Sequence, residues 1–265
     1  MLSPFLTSLF NKSLDTGFFP TEFKQAVVRP LRALKIFRPV SNLSFISKLL
    51  EKIVQSRIQA FFDSNALMPK MQSAYRRFHS TETAVTKVFS DLLVAADNGQ
   101  MSALCVLDLT AAFDTVDHDL LLLWLERQFG LRGIVLAWLR SYLSAVSGRT
   151  FRVVYNGCST SFVVYIVCSV PQGSVLGPLL FIVYTADLAS VAQKHNVTVY
   201  AFADDTQMYL HCSRDDTTSA ADRLERCIAD VGQWMSANRL KLNTEKTSCY
   251  GSERGTVCLN MALFL

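Results

Sequence analysis

The chain has 265 residues, half of them hydrophobic and 18% charged, which is enough apolar material for a sizeable core and excludes an intrinsically disordered chain. The net charge of +4 is unevenly spread: residues 1–100 carry 13 Lys/Arg against 7 Asp/Glu, and residues 101–265 carry 13 against 15. The basic half reads either as an ordinary solvated surface or as a polyanion-facing lobe beside a lobe that concentrates carboxylates. The longest apolar run near a helix, Val175 to Tyr184, is interrupted by Gly177 and Pro178 and is too short to span a bilayer. The first residues lack the basic flank, apolar stretch and cleavage site of a secretory signal, so an intracellular protein of nucleus or cytoplasm, not a secreted one, is expected. The seven cysteines form no C-x-x-C pair. Cys105 and Cys168 read as small core residues, and neither a zinc site nor a disulfide framework is expected in what looks like a reducing compartment.

In chain order, Ser41 to Phe62 reads as a loop running into a helix, with Ile46, Leu49, Leu50, Ile53, Val54, Ile58 and Phe61 recurring at three and four. Ser80 or Thr81 caps a second helix that ends at the turn Asp97-Asn98-Gly99. Met101 to Leu109 is a buried strand ending in Asp108. Leu120 to Leu125 and Ile134 to Leu143 are helices. Phe151 to Tyr155 and Phe162 to Val167 make a hairpin around Asn156-Gly157. Leu176 to Val191 is a single helix with Pro178 in its first turn. Val197 to Phe202 and Thr206 to His211 flank Ala203-Asp204-Asp205 as a hairpin. Ala220 to Met235 is an amphipathic helix, and Leu240 and Leu242 alternate with charged residues as a strand. The fold class is α+β, a small sheet with helices packed on one face.

Three features carry chemistry. Asp204-Asp205 sits at a hairpin tip, where a plain solvated turn is the bland reading. Asp108 ends a buried strand, where a carboxylate has no packing value. If that strand lies beside the hairpin, three carboxylates meet at one sheet end. Hard oxygen donors suit Mg²⁺, and two ions about 3.5–4 Å apart stabilise both oxygens of a phosphoryl displacement. Pro171-Gln172-Gly173-Ser174 lies between strand and helix, either as an anion-facing loop or as a plain turn with Ser174 as N-cap. Phe113, just past Asp108, either packs in the core or excludes a 2′-hydroxyl from a nucleotide site.

Leu107-Asp108-Leu109-Thr110-Ala111-Ala112-Phe113-Asp114 resembles the first catalytic motif of reverse transcriptases from non-LTR (LINE-type) retrotransposons. Pro171-Gln172-Gly173-Ser174-Val175-Leu176-Gly177-Pro178 resembles the second, and Phe202-Ala203-Asp204-Asp205 the third. Leu240-Lys241-Leu242-Asn243-Thr244-Glu245-Lys246-Thr247 resembles the motif that follows. Upstream, Arg38 to Leu43, Lys48 to Lys52, Gln72 to Arg76 and His79 to Thr83 look like the family's fingers.

The resemblance implies a right-hand polymerase fold: residues 1–100 mostly fingers-like, residues 101–250 a palm-like catalytic region with a small antiparallel sheet packed on helices, and residues 251–265 a divergent tail. It implies that Asp108, Asp204 and Asp205 hold two Mg²⁺ ions, or Mn²⁺ in their place. The backbone from Leu109 to Ala112 would pass the triphosphate and Phe113 would select deoxynucleotides. Gln172 and Gly173 would line the nascent pair, Arg38 would reach the triphosphate, and Lys246 would lie near the leaving pyrophosphate. The implied partners are an RNA template, a DNA primer and deoxynucleoside triphosphates, with no membrane. Against the family pattern, the chain begins inside the polymerase with no endonuclease ahead of it. The stretch Val28 to Arg38 is short, Ser144 to Ser147 looks inserted, and a thumb is missing after Thr247. The expected activity is RNA-directed DNA synthesis, weak or undetectable in this truncated form. The alternatives are an inactive nucleic-acid-binding remnant, an RNA-dependent RNA polymerase and a metal-dependent nuclease.

Overall fold

The structure, a computed structural model, describes residues 2–28, 41–144, 149–155, 158–159, 164–165, 168–253 and 255–259. Its elements are α1 (Leu2–Thr16), β1 (Gln25–Val28), β2 (Ser41–Asn42), α2 (Phe45–Ser64), α3 (Thr81–Asp97), β3 (Met101–Leu107), α4 (His118–Arg127), α5 (Gly133–Leu143), β4 (Thr150–Tyr155), β5 (Cys158–Ser159) and β6 (Val164–Tyr165). There follow α6 (Gly177–Tyr184), α7 (Leu188–Gln193), β7 (Thr198–Phe202), β8 (Asp205–Cys212), α8 (Thr217–Ala237), β9 (Ser248–Glu253) and β10 (Gly255–Leu259). The α+β expectation holds. Two compact units interleave along the chain: Met1–Leu67 with Phe113–Tyr184, and Met68–Ala112 with Thr185–Leu265.

The first unit is mostly helical. Ser44 caps α2 by accepting the Ser47 N–H (3.1 Å). Phe19, fully buried, meets Trp138 and Tyr142 of α5 edge-on at 5.3 and 5.1 Å, and Phe62 of α2 meets Phe129 at 5.0 Å. Its sheet runs β2-β1-β4-β5, with β6 also on β4; β1 and β4 are parallel and the other pairs antiparallel. The expected hairpin is present as β4 with both β5 and β6; Asn156 and Gly157 themselves lie outside the described residues.

The second unit is built on the sheet β10-β9-β3-β8-β7, antiparallel throughout. Met208, Tyr209 and Leu210 are consecutive on β8 and all buried, so both faces of the sheet are covered there. Cys105 and Met208 share one face, where α8 lies. On the other, Tyr209 donates to Asp91 of α3 (2.7 Å). Helices therefore meet both faces and not one.

Three further expectations are corrected. The helix read from Leu176 to Val191 is two, α6 and α7, because one apolar run serves two cores: Leu179 to Tyr184 are all buried in the first unit, while α7 packs on α8 in the second. Leu240 and Leu242 do not form a strand. Leu242 makes a single bridge to Leu109, and the ladder resumes only at β9. Cys105 and Cys249 form a disulfide between β3 and β9, where none was expected. They stand directly opposite each other in the ladder but 144 residues apart in sequence, so no local spacing announces them.

The cap of α3 yields a stability prediction. Ser80 Oγ accepts the Thr83 N–H (3.2 Å) and Thr83 Oγ1 accepts the Ser80 N–H (2.8 Å), a reciprocal capping box. Ser80→Ala is expected to lower stability by about 1 kcal/mol in urea denaturation. Equal midpoints with unchanged slope would show that the box does not hold the start of α3.

Candidate active site

The carboxylates lie in the second unit. β3 and β8 pair antiparallel with Leu107 opposite Thr206, so the next step of the register sets Asp108 beside Asp205 at one end of the sheet. Phe202 pairs with Asp205, which leaves Ala203 and Asp204 as the two-residue tip of the β7–β8 hairpin. Asp108 is held by the segment that follows α8. Asn243 donates from its backbone to the Asp108 carbonyl (2.8 Å) and from Nδ2 to Oδ2 of the Asp108 carboxylate (2.9 Å). Thr110 N–H donates to the Lys241 carbonyl (2.8 Å), and Lys246 Nζ lies 3.9 Å from Asp108 Oδ2. Leu109 and Ala112 are buried, so what they offer a ligand is backbone. The Tyr75 phenol is held above its usual pKa, first by partial burial and second by the negative charge of Asp204.

The donor set is all carboxylate oxygen, the chemistry that fits a hard divalent cation. Asp108 has both a hydrogen-bond donor and a cation within reach of Oδ2. Among the described residues, no three His, Cys, Asp or Glu side chains are grouped to hold an ion as they stand.

The second motif lies in the first unit, together with Phe113. The Phe113 ring stacks on Phe181 of α6 (centroids 4.7 Å, 19°) and is only half-buried. Val170 N–H donates to the Phe113 carbonyl (2.9 Å) and Ser169 N–H to that of Val116 (2.8 Å), which ties Phe113 to the start of the Pro171–Ser174 loop. Ser174 closes the loop onto the Pro171 carbonyl (3.0 Å), and its Oγ accepts the Gly177 N–H (2.9 Å). A Cβ on Gly177 would stand 2.6 Å from Ser174 Oγ and 3.1 Å from the Pro171 carbonyl, so only glycine fits there. Gln172 is half-buried, and Gly173 is exposed at φ +95°.

Three of the eight non-glycine residues at positive φ among the described residues lie beside these motifs. Ala111 (φ +49°), Ser169 (+97°) and Ala203 (+58°) hold left-handed conformations that cost non-glycine residues about 1–3 kcal/mol each. Arg38 lies outside the described residues. Sequence reasoning passed over Asn243, Glu51 and Gln72 as individuals. The only signal was their presence in the motif stretches, because the partners that give each its place — Asp108, the Val175 and Leu176 N–H groups, and Ala203 — are far away in the chain. Glu51, fully buried on α2, accepts the N–H groups of Val175 (2.8 Å) and Leu176 (3.3 Å) and the hydroxyl of Ser47 (3.0 Å).

Residues 28–256 match the family described as Reverse transcriptase (RNA-dependent DNA polymerase). Among curated proteins, the chain is 31% identical over 258 residues to the probable RNA-directed DNA polymerase from transposon BS of Drosophila melanogaster. It is 29% identical over 254 residues to the RNA-directed DNA polymerase from mobile element jockey of the same fly. These alignments cover 92% and 91% of this chain but 27% of each relative, so the chain spans about a quarter of their length. Among solved structures, apo telomerase from Candida tropicalis truncated from its C-terminal domain superposes with a TM-score of 0.64 at 14% identity, covering 96% of this chain and 56% of that one. That likeness is one of fold, the right-hand polymerase fold.

Proposed function

Because the chain belongs to the reverse transcriptase (RNA-dependent DNA polymerase) family, of non-LTR retrotransposon type, we propose that it carries the catalytic centre of a two-metal, RNA-templated DNA polymerase. The observation that supports this most is the antiparallel β3–β8 register, which sets Asp108 beside the Asp204-Asp205 turn at one sheet end. Asp108, Asp204 and Asp205 would hold two Mg²⁺ ions, or Mn²⁺ in their place. When bound, the ions supply Lewis-acid stabilisation of the attacking and leaving oxygens. Asn243 fixes the Asp108 backbone and side chain together, and the Lys246 ammonium brings positive charge to where pyrophosphate would leave. The backbone from Leu109 to Ala112 would run along the triphosphate, with Arg38 reaching it from the fingers. Gln172 and Gly173 would line the nascent pair. The partners are an RNA template, a DNA primer and deoxynucleoside triphosphates, and the setting is intracellular, nucleus or cytoplasm. No helix among the described residues is long and apolar enough to cross a membrane.

Primer extension tests this reading. The purified chain, given a primed RNA template, deoxynucleotides and Mg²⁺, is expected to add nucleotides slowly and to stop when the ion is chelated. Salt-sensitive binding of the primed template without any metal-dependent extension would favour the alternative, a nucleic-acid-binding remnant without activity. Hydrolysis of the template in place of extension would favour a nuclease.

Phe113 is the proposed sugar gate. Phe113→Val removes most of the ring while keeping the position apolar. It is expected to raise ribonucleotide incorporation relative to deoxynucleotide by about tenfold or more, the scale of discrimination that small steric contacts supply. An unchanged ratio would return Phe113 to packing on Phe181.

A further inference from the structure

Ala203 is an alanine in a left-handed conformation (φ +58°) immediately before Asp204, and something must hold it there. Gln72 does so from a distant part of the chain. The residue is 5% exposed, and its side-chain amide bonds to backbone groups. Oε1 accepts the Ala203 N–H (2.9 Å) and the Ala74 N–H (3.1 Å), and Nε2 donates to the Ala203 carbonyl (3.1 Å). One amide thus grips the N–H and the C=O of the same strained residue, as a neighbouring strand would. The surrounding backbone braces the grip: Ala201 N–H donates to the Met71 carbonyl (2.8 Å), Ser73 N–H donates to that of Ala201 (2.9 Å), and Gln72 and Ala201 form a parallel bridge.

We propose that Gln72 is a positioning residue: by clamping both backbone groups of Ala203 it sets the hairpin-tip conformation and thereby the direction in which Asp204 and Asp205 project. A two-residue tip has few alternatives to choose from, yet each aims its side chains differently, and Ala203 lacks the freedom of a glycine to sample them at no cost. The two carboxylates follow Ala203 directly, so a change in its φ and ψ swings both. Any other amide partner for Ala203 would have to arrive with both a donor and an acceptor. A carboxamide offers an acceptor oxygen and a donor N–H side by side on one planar group, as the Ala203 N–H and C=O require. That the aim matters for metal binding rests on the two-ion reading of the site; that Gln72 sets the turn does not.

The test separates these two statements. Gln72→Met keeps the volume and removes all three hydrogen bonds, and Gln72→Glu keeps the acceptor for the Ala203 N–H. Amide hydrogen exchange is followed by NMR at Ala203 and, as a control, at Met208 in mid-ladder. Mn²⁺ affinity is measured by water-proton relaxation on the same proteins and on an Asp204→Asn, Asp205→Asn variant. The expected result is exchange at Ala203 at least tenfold faster in Gln72→Met with Met208 unchanged, protection not fully restored in Gln72→Glu, whose second oxygen meets the Ala203 carbonyl without a proton to donate, and Mn²⁺ affinity at least fivefold weaker in Gln72→Met. Unchanged exchange at Ala203 would overturn the clamp. Faster exchange with unchanged Mn²⁺ affinity would overturn the positioning role. Equal Mn²⁺ binding by the parent chain and the double Asp variant would sink the two-ion reading instead, and exchange at Ala203 would still decide whether Gln72 sets the turn.

Discussion

The Asp204→Asn, Asp205→Asn variant is expected to bind a primed RNA template as tightly as the parent chain and to extend it at least about 10²–10³-fold more slowly, a barrier increase of roughly 2.7–4 kcal/mol. Both substitutions are nearly isosteric. Asp205 is exposed and Asp204 half-buried at the hairpin tip, so neither neutralisation empties a core position. What is lost is charge. Two of the three carboxylates proposed to hold the ions become neutral amides, which are far weaker ligands for a hard cation. The Tyr75 pKa should fall toward its ordinary value as the charge of Asp204 disappears, which gives a spectroscopic check that the substitution has acted where intended. Template binding should be equal or slightly stronger, because removing negative charge reduces repulsion of phosphate, and it should keep the salt dependence of Lys/Arg–phosphate contacts. Extension that survives at the parental rate would remove Asp204 and Asp205 from the chemistry. Binding lost together with extension would show that the hairpin had collapsed, and thermal melting of the variant reads that directly.

Glu51→Ala is expected to be the most destabilising single change considered for the first unit, by about 3–5 kcal/mol. Glu51 is fully buried, yet its carboxylate is well served: Oε2 accepts the N–H groups of Val175 and Leu176, and Oε1 accepts the hydroxyl of the equally buried Ser47. Arg149 and Tyr142 are buried in the same unit, and the Glu51 charge contributes, after desolvation, to holding the Tyr142 phenol well above its usual pKa. Truncation leaves two backbone donors next to α6 and the Ser47 hydroxyl without their acceptor, and opens a cavity. Glu51→Gln keeps the shape and one acceptor oxygen, so it should cost roughly 1–3 kcal/mol. Urea denaturation of the three proteins reads the series. A loss below about 1 kcal/mol in Glu51→Ala would mean that water replaces the carboxylate at no great cost, and that Glu51 does not hold the loop Pro171–Ser174. If the loop is held this way, Glu51→Gln should fold yet show a raised KM for nucleotide with less change in kcat, since Gln172 and Gly173 are proposed to meet the nascent pair and not the reacting phosphate.

Much of this protein was legible before any fold was known, wherever the cause lies within a few residues. The cap at Ser80 follows from a short side chain that reaches the N–H three residues on, and the hairpin around Ala203-Asp204-Asp205 follows from two apolar runs flanking an acidic pair. The ordered motifs named the family because several short stretches had to occur together and in sequence. What only the tertiary structure decided was register and remote contact. The pairing of β3 with β8 brings Asp108 to Asp205 across about a hundred residues, and no periodicity in either strand encodes its neighbour. The Cys105–Cys249 disulfide, the break between α6 and α7, and the single bridge of Leu242 to Leu109 all depend on which core a segment joins, as the apolar pattern alone cannot tell one core from another. Gln72 and Glu51 are the clearest cases: a polar residue in a helix or loop looks solvated until its backbone partners, more than a hundred residues away, fold against it and make the same amide or carboxylate a buried hydrogen-bond hub.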